Sequence, residues 1–344
     1  MLTFSNYLLK EQLHQGEHAL VYRAVRQTDH QSVILKILSA EYPTSEDIAR
    51  LKHEYELLHL FDNTVEDIIR IFGFEQEDNR YFIVLEDFGG ESIANFLQFY
   101  FFETEDFLRI ALSLVDILAE LHRQNIIHKD INPSNILWNP NTHQIKLIDF
   151  GISTQLPREN TTLSNVNSLE GTLAYMAPEQ TGRMNRAMDY RTDFYSLGAT
   201  FYQMLTQQLP FETDEAMEMV HCHLAKTPMA PHEVNPKIAP IISQIVLKLM
   251  AKNAEDRYQS AFGLKTDLEI CQENLQSLKN LEDFNLKLGQ HDFSDKLQIP
   301  QKLYGRENEI ETYLSAFERV SQGTTTPFSP PYELIFTHKY PKII

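Results

Sequence analysis

The chain has 344 residues, of which 42% are hydrophobic and 11% aromatic. This composition can bury at least one large core, which excludes global disorder. The formal charge of -18 disfavours nucleic acid or an anionic membrane as the main partner. Because no apolar run is long enough to span a membrane and the amino terminus does not resemble a signal peptide, we expect a cytoplasmic protein. Its two cysteines, Cys222 and Cys271, are expected to be reduced thiols.

The first ninety residues predict a β-sheet with one helix. Runs rich in β-branched and apolar residues predict three strands, ALVYRAV (19–25), SVILKIL (32–38) and YFIVLEDF (81–88). Between the second and third of these runs, EDIARLKHEYELLHLF (46–61) has apolar residues at helical spacing.

Helices dominate after Gly89 and Gly90. EDFLRIALSLVDILAELHRQN (105–125) predicts an amphipathic helix, and two short strand-like runs follow it, NILWN and QIKLIDF. Three more stretches then have helical periodicity, RTDFYSLGATFYQML, IAPIISQIVLKLM and SAFGLKTDLEICQENLQSL. The order of these segments predicts an α+β fold.

The periodicity weakens toward the end of the chain. Residues 289–302 are interpreted as a linker, and ENEIETYLSAFERV (307–320) predicts one more helix. Residues 324–344 contain four prolines and no regular pattern, so we expect a disordered tail there.

Lys36 lies in the middle of an apolar strand, where an unpaired ammonium would be costly to desolvate. Glu54 in the following helix is a candidate partner, and a nucleotide phosphate is another. The alternative is that both side chains are simply exposed.

Asp149, Phe150 and Gly151 close the second of the two short strand-like runs, QIKLIDF. A carboxylate at a strand end beside a flexible glycine can hold Mg²⁺ against phosphate oxygens. Three residues alone are a weak signal, so the order of the motifs along the chain matters more.

That order points to a known family. It runs Gly16, Val21, Lys36, Glu54, His128, Asp130, Asn135, Asp149-Phe150-Gly151, GTLAYMAPE (171–179), Asp193, Gly198 and Arg257. Over roughly residues 10–272 the sequence resembles the eukaryotic-type serine/threonine protein kinases.

The resemblance implies a bilobal fold with ATP in the cleft, in which residues 1–88 form the β-rich N-lobe with the hinge and residues 89–288 the C-lobe with a following helix. Lys36, paired with Glu54, would hold the α- and β-phosphates. The other residues implied to line the nucleotide site are Gly16, Val21, the gatekeeper Leu85, and Glu86 and Phe88 of the hinge.

The same resemblance implies the residues that carry the chemistry. Asp149 and Asn135 would coordinate Mg²⁺, and Asp130 would orient the substrate hydroxyl and accept its proton. Thr172 would hydrogen-bond this acid. Structural roles are implied for the remaining motif residues: an ion pair of Glu179 with Arg257, an anchor for the catalytic loop at Asp193, and packing by His128.

Three departures from the family pattern stand near the site. Only Gly16 remains of three glycines, with His14 and Ala19 in the other places, which restricts the approach of the backbone to phosphates. Lys129 replaces an arginine, which makes control by loop phosphorylation less expected. Asn132 replaces a lysine, which predicts a slow enzyme, although Asn132 could instead cap the loop backbone.

Several segments have a more local resemblance to the amino-terminal kinase domain of large bacterial, especially cyanobacterial, signalling proteins: VILKIL, HEYELL, LEDFGG, HKDINPSN and GTLAYMAPEQTGRMNR. In those proteins an ATPase domain, a GAF sensor and a histidine kinase follow. Residues 303–323 are similar to the opening of that ATPase domain, whose GxxxxGK[ST] loop does not follow here. We therefore expect a truncated or frameshifted gene.

Two functions remain open. The first is an enzyme that transfers phosphate from ATP to Ser or Thr of a protein, with sensor or histidine kinase modules as possible partners. The second is a pseudokinase that binds ATP or a partner without chemistry. The presence of Lys36, Asp130, Asn135 and Asp149 favours the enzyme.

Overall fold

A computed structural model of the protein describes residues 4–16, 18–61, 65–155, 173–184, 186–278, 281, 284 and 286–294. All of them fall within one compact unit, Met1–Leu297. The predicted ATPase-like start at 303–323 and the predicted tail at 324–344 lie outside the described residues.

The N-terminal part is a five-stranded antiparallel sheet, which confirms the predicted β-rich lobe. Its spatial order is β1-β2-β3-β5-β4. The strands are β1 Tyr7–Gln15, β2 Ala19–Arg26, β3 Ser32–Leu38, β4 Ile71–Glu77 and β5 Arg80–Glu86. Helix α1, Ser45–Leu60, connects β3 to β4 and packs against both β4 and β5.

The start of α1 follows directly from its sequence. Thr44 accepts a hydrogen bond from the Asp47 backbone N–H, while the Asp47 side chain accepts one from the Thr44 backbone N–H. This reciprocal capping satisfies two backbone donors that a helix start leaves unpaired. It fixes where the helix begins, and therefore where Glu54 lies.

The C-terminal part is mainly helical and confirms the bilobal α+β prediction. Its small antiparallel sheet has the order β6-β7-β8, with β6 Glu91–Ser92, β7 Ile136–Asn139 and β8 Gln144–Leu147. The helices are α2 Ile93–Phe96, α3 Thr104–Arg123, α4 Arg191–Thr206, α5 Ala216–Ala225, α6 Pro231–Val234, α7 Pro240–Leu249 and α8 Ala261–Leu278. Within the part of the chain described, no helix is both long and apolar enough to cross a membrane.

Two apolar clusters hold the unit together. The larger one joins α1, α3, α4, α7 and α8, and the smaller one lies on one face of the five-stranded sheet around Leu35 and Ile37 of β3. Because successive residues of a strand point to opposite faces, Lys36 points away from the smaller cluster. The alternation of β3 therefore directs this lysine to the side where α1 packs.

Part of the predicted linker at 289–302 is described, as far as Ser294, and that part is bound to the domain. The Asp292 carboxylate accepts hydrogen bonds from the backbone N–H groups of Gln259 and Ser260, at 2.7 and 2.9 Å. These bonds hold residues 289–294 against the start of α8 rather than letting the chain lead away.

Candidate active site

Lys36 is the centre of a three-residue ionic cluster. Its ammonium donates to both carboxylate oxygens of Glu54, at 2.9 and 2.7 Å, and to Oδ1 of Asp149, at 2.9 Å. These residues come from β3, from α1 and from the segment that follows β8. The three N–H groups of the ammonium thus have three carboxylate acceptors, which offsets the cost of burying it.

The pKa values in this cluster follow from one cation shared by two anions. Burial acts to lower the pKa of Lys36, but the carboxylates of Asp149 and Glu54 outweigh it and raise that pKa above its usual value. Burial, assisted by the nearby Asp149, raises the pKa of Glu54 to about 7 despite the ammonium. For Asp149, Lys36 outweighs burial and holds the carboxyl pKa below its ordinary value. Asp149 is therefore the more firmly ionised carboxylate.

Backbone geometry presents Asp149 to this cluster. The residue has a φ of 66°, in the left-handed region, and its Oδ1 accepts a hydrogen bond from the Gly151 N–H at 3.3 Å. A Cβ at position 151 would lie 3.3 Å from that same oxygen and 3.6 Å from Oε2 of Glu54. Gly151 therefore lets the backbone come close to both acids. Phe150 is fully buried and packs edge-on against His128.

Asp130 is held by two amides of its own loop. Asn132 Nδ2 donates to Oδ1 of Asp130 at 2.9 Å, and Asn135 Nδ2 donates to Oδ2 at 2.8 Å. Both amides also donate to the Asp130 carbonyl. Asn132 in addition accepts from the Ser134 N–H at 2.9 Å and so caps the short 3₁₀ turn Pro133–Asn135. The orientation of the carboxylate is therefore fixed from both sides.

The loop that carries Asp130 is hydrogen-bonded to a side chain of α4. The fully buried Asp193 accepts from the backbone N–H groups of His128, at 3.0 Å, and Lys129, at 2.8 Å. Lys129 has a φ of 68°, a left-handed conformation that costs energy for a residue with a side chain. The two charge-assisted bonds to Asp193 offset this strain. This is the anchoring role implied for Asp193.

The donor set fits a magnesium ion. The candidate ligands are Asn135 and Asp149. The Asn135 backbone carbonyl accepts a hydrogen bond from the Ile148 N–H at 2.9 Å, and Ile148 directly precedes Asp149, so this bond keeps the two ligands close together. Among the described residues, Asn135 Oδ1 and Asp149 Oδ2 make no hydrogen bond, so each offers an oxygen. At Lys36 two carboxylates, Glu54 and Asp149, share one ammonium, a local surplus of negative charge that suits a divalent cation. Mg²⁺ commonly takes only one or two protein oxygens.

No group of three or more His, Cys, Asp or Glu side chains placed to bind a metal occurs in the described part of the chain. Any ion there would therefore depend on further oxygens from a nucleotide or water.

Of the predicted nucleotide-side residues, those on strands lie on the three central strands of the N-terminal sheet, and Gly16 lies in the β1–β2 turn. Val21 on β2 pairs directly with Lys36 on β3, and the Gly16 N–H donates to the Ala19 carbonyl at 2.9 Å to close the β1–β2 turn. Leu85 is 7% exposed near the end of β5. Val21 and Leu85 thus lie on strands that flank β3 on either side.

Thr172 lies outside the described residues, and so do residues 156–171, which precede it.

Sequence reasoning did not identify Lys146, which binds Glu86, one of the predicted hinge residues. This lysine of β8 is 9% exposed and donates to the Glu86 carboxylate at 2.6 Å and to the Glu66 carbonyl at 2.7 Å. It also lies over the Phe88 ring, 5.6 Å from its centroid. The signal was present, because Lys146 interrupts an apolar strand just as Lys36 does. The Glu86 side chain is therefore occupied by the protein itself.

The implied pair of Glu179 and Arg257 is present and buried. Arg257 Nη1 and Nη2 donate to the two carboxylate oxygens of Glu179 at 2.6 and 2.8 Å, and Thr192 donates a third bond to that carboxylate. The bidentate geometry joins the residues before α4 to those before α8.

The sequence matches the family described as "Protein kinase domain" over residues 7–268. Serine/threonine-protein kinase PrkC of Bacillus subtilis is 31% identical, over 74% of this chain and 39% of the relative. Serine/threonine-protein kinase pkn3 of Myxococcus xanthus is 29% identical, over 76% of this chain and 49% of the relative. Hybrid signal transduction histidine kinase G of Dictyostelium discoideum is 29% identical, over 63% of this chain and 9% of the relative. The chain thus spans less than half the length of each of these relatives.

Proposed function

Because this chain belongs to the protein kinase family, we propose that it transfers the γ-phosphoryl group of ATP to serine or threonine side chains of a protein. The observation that carries the proposal is the ammonium of Lys36 held between Glu54 and Asp149. A module that only offers its surface to a partner protein has no need to hold a buried cation between two acids. A site that binds phosphates beside a metal does.

The chain's own residues supply positioning and a base. Lys36 is fixed by its two acids and presents positive charge to the phosphates of ATP. Asp130 is oriented by its two amide bonds, and its carboxylate is the group proposed to accept the proton of a substrate hydroxyl. A bound Mg²⁺, held by Asn135 and Asp149, would neutralise charge on the transferring phosphate.

The proposal includes the setting of the reaction. We propose a protein substrate and a place in signal transduction, supported by the names of the bacterial relatives, serine/threonine-protein kinases. Sensor or histidine kinase modules are proposed as partners, because one relative is a hybrid histidine kinase. A cytoplasmic site of action agrees with the need for ATP and with the free thiols of Cys222 and Cys271, both buried.

The test is phosphate transfer from γ-labelled ATP with Mg²⁺ to a generic protein acceptor. Wild type should label serine and threonine, whereas Lys36→Met should not, because it removes the charge that binds phosphate. Asp130→Asn is the matched control, since it keeps the shape of the site and removes only the base. ATP binding by the wild type without any transfer would contradict the proposal and support the pseudokinase alternative.

A further inference from the structure

The segment 286–294, here named the C-terminal strap, lies beyond the family match, which ends at residue 268. It nevertheless packs on the domain. Leu286 and Leu288 pack against the main apolar cluster, and the Gly289 N–H donates to Asp267 at 2.8 Å. Asp267 is itself 1% exposed and accepts a bond from the Tyr258 hydroxyl. The strap is therefore attached to buried groups of the C-lobe.

Asp292 of the strap occupies the start of α8. Its Oδ2 accepts from the Gln259 N–H at 2.7 Å, and its Oδ1 accepts from both the N–H and the hydroxyl of Ser260 at 2.9 Å. The first N–H groups of a helix have no partner within the helix, and a carboxylate there also interacts favourably with the helix dipole. Ser260 caps α8, because its hydroxyl accepts from the Gly263 N–H at 2.9 Å, and Asp292 holds this capping residue through its N–H and its hydroxyl.

Two glycines match this docking. A Cβ on Gly263, in the first turn of α8, would lie 2.4 Å from Asp292 Oδ1, closer than any side chain can tolerate. Gly289 has a φ of 73°, which favours glycine. One glycine leaves room for the strap and the other turns it, so the sequences of helix and strap fit each other.

Gln259 connects Asp292 to the start of α4. Its backbone carbonyl accepts from the Tyr190 hydroxyl at 2.6 Å, and its side-chain oxygen accepts from Arg191 Nη1 at 2.8 Å. Tyr190 and Arg191 begin α4, two or three residues before Asp193, which binds the backbone of the catalytic loop. A continuous line of hydrogen bonds and one helix end therefore connects Asp292 to the loop that carries Asp130.

We infer that Asp292 is a positioning residue for the catalytic loop and that the strap is a working part of the catalytic domain. This inference rests on the proposed function only for its effect on rate. When the carboxylate is absent, Gln259 loses its backbone acceptor, and the start of α4 loses the fixed partner that holds Tyr190 and Arg191. Asp193 then holds the loop less firmly.

The test uses the full chain and two variants, Asp292→Asn and Asp292→Ala, of which the first is nearly isosteric. Glu273→Gln is the matched control, because it removes an exposed acid from α8 that makes no described hydrogen bond. The first measurement is amide hydrogen exchange in peptides covering residues 126–135. We expect faster exchange there in both Asp292 variants, with little change in the core of α3, and no effect of the control.

The second measurement is kinetic and is made well below the lowest melting temperature. Both Asp292 variants should lower kcat by about 2- to 30-fold, the usual range for residues that act through a contact network, while KM for ATP stays within about twofold. Unchanged exchange in residues 126–135, or kcat equal to wild type in both variants, would overturn the inference. A wild type that transfers no phosphate would refute the proposed function instead, and the exchange result would still decide the role of Asp292.

Discussion

The raised pKa of Glu54 predicts an unusual pH dependence of stability. Its carboxyl titrates near pH 7 in the folded protein, against an ordinary value of 4.5. The folded state therefore binds a proton that the unfolded state has released, and the stability from this group, present below pH 4.5, is lost as the pH rises through 7. At about 1.4 kcal/mol per tenfold change in proton affinity, the loss is about 2 to 3 kcal/mol between pH 5 and 8.

The perturbation that isolates this effect is Glu54→Gln, which stays neutral at every pH. Urea unfolding of both proteins at pH 5, 6, 7 and 8 gives the difference in their unfolding free energies. Wild type should lose about 2 to 3 kcal/mol relative to the variant over this range, most of it below pH 7. The shifted groups Lys36 and Asp149 titrate outside this window, the first above it and the second below.

Glu46→Gln serves as the control, because its side chain is 84% exposed on the same helix. The difference between wild type and this variant should not change with pH. Parallel stability curves for wild type and Glu54→Gln would refute the reasoning, since they would mean that Glu54 is ionised throughout and that Lys36 fully compensates its burial.

Two further predictions concern other charges. Asp149→Asn should abolish Mg²⁺-dependent turnover and the thermal shift caused by Mg-ATP while Lys36 keeps its bond to Glu54, and an unchanged shift with unchanged turnover would contradict the metal assignment. Arg257→Ala should lower the unfolding free energy by about 3 to 5 kcal/mol, because it leaves Glu179 buried without its cation. Lys226→Ala, in an exposed pair screened by solvent, should have a much smaller effect in the same urea experiment, and equal losses for the two variants would contradict this reasoning.

The parts of the fold that the sequence predicts are those whose signal is local. The apolar spacing of α3 and the β-branched runs of β2, β3 and β5 are visible without any partner. β1 is mostly exposed and β4 is largely half-buried, and neither was predicted. Their strand conformation comes from pairing with β2 and β5, which is a tertiary effect.

The residues of the candidate site also divide into those with a sequence signal and those without one. The motif order was sufficient to expect Lys36, Glu54 and Asp149 at one site, but not that one ammonium would join both acids, because the three residues come from separate elements. Lys146 and Asp292 were not predicted at all. Their partners lie 60 and 32 or 33 residues away, and no local pattern indicates such pairs.

Asn132 occupies a position at which the kinases that this sequence resembles have a lysine, and it makes two kinds of contact. Its amide nitrogen donates to Asp130, and its amide oxygen caps the turn at Ser134. A lysine at this position keeps a donor for Asp130 and adds a positive charge near the transferring phosphate, but it cannot accept from the Ser134 N–H. The same substitution should therefore stabilise the transition state through its added charge and destabilise the folded loop through the loss of the cap.

We expect Asn132→Lys to raise kcat by about 3- to 100-fold, because a charged donor stabilises the transferring phosphoryl group more than a neutral amide does. The same variant should melt at a lower temperature, since a lost cap costs about 1 kcal/mol. Asn132→Asp is the matched control: it keeps the acceptor for Ser134, loses the donor to Asp130 and places a like charge beside it, so its kcat should fall. Steady-state kinetics and thermal melts of the three proteins decide the outcome. If kcat falls in Asn132→Lys as well, the amide of Asn132 is needed to hold Asp130 in place, and the missing lysine is not what limits the rate.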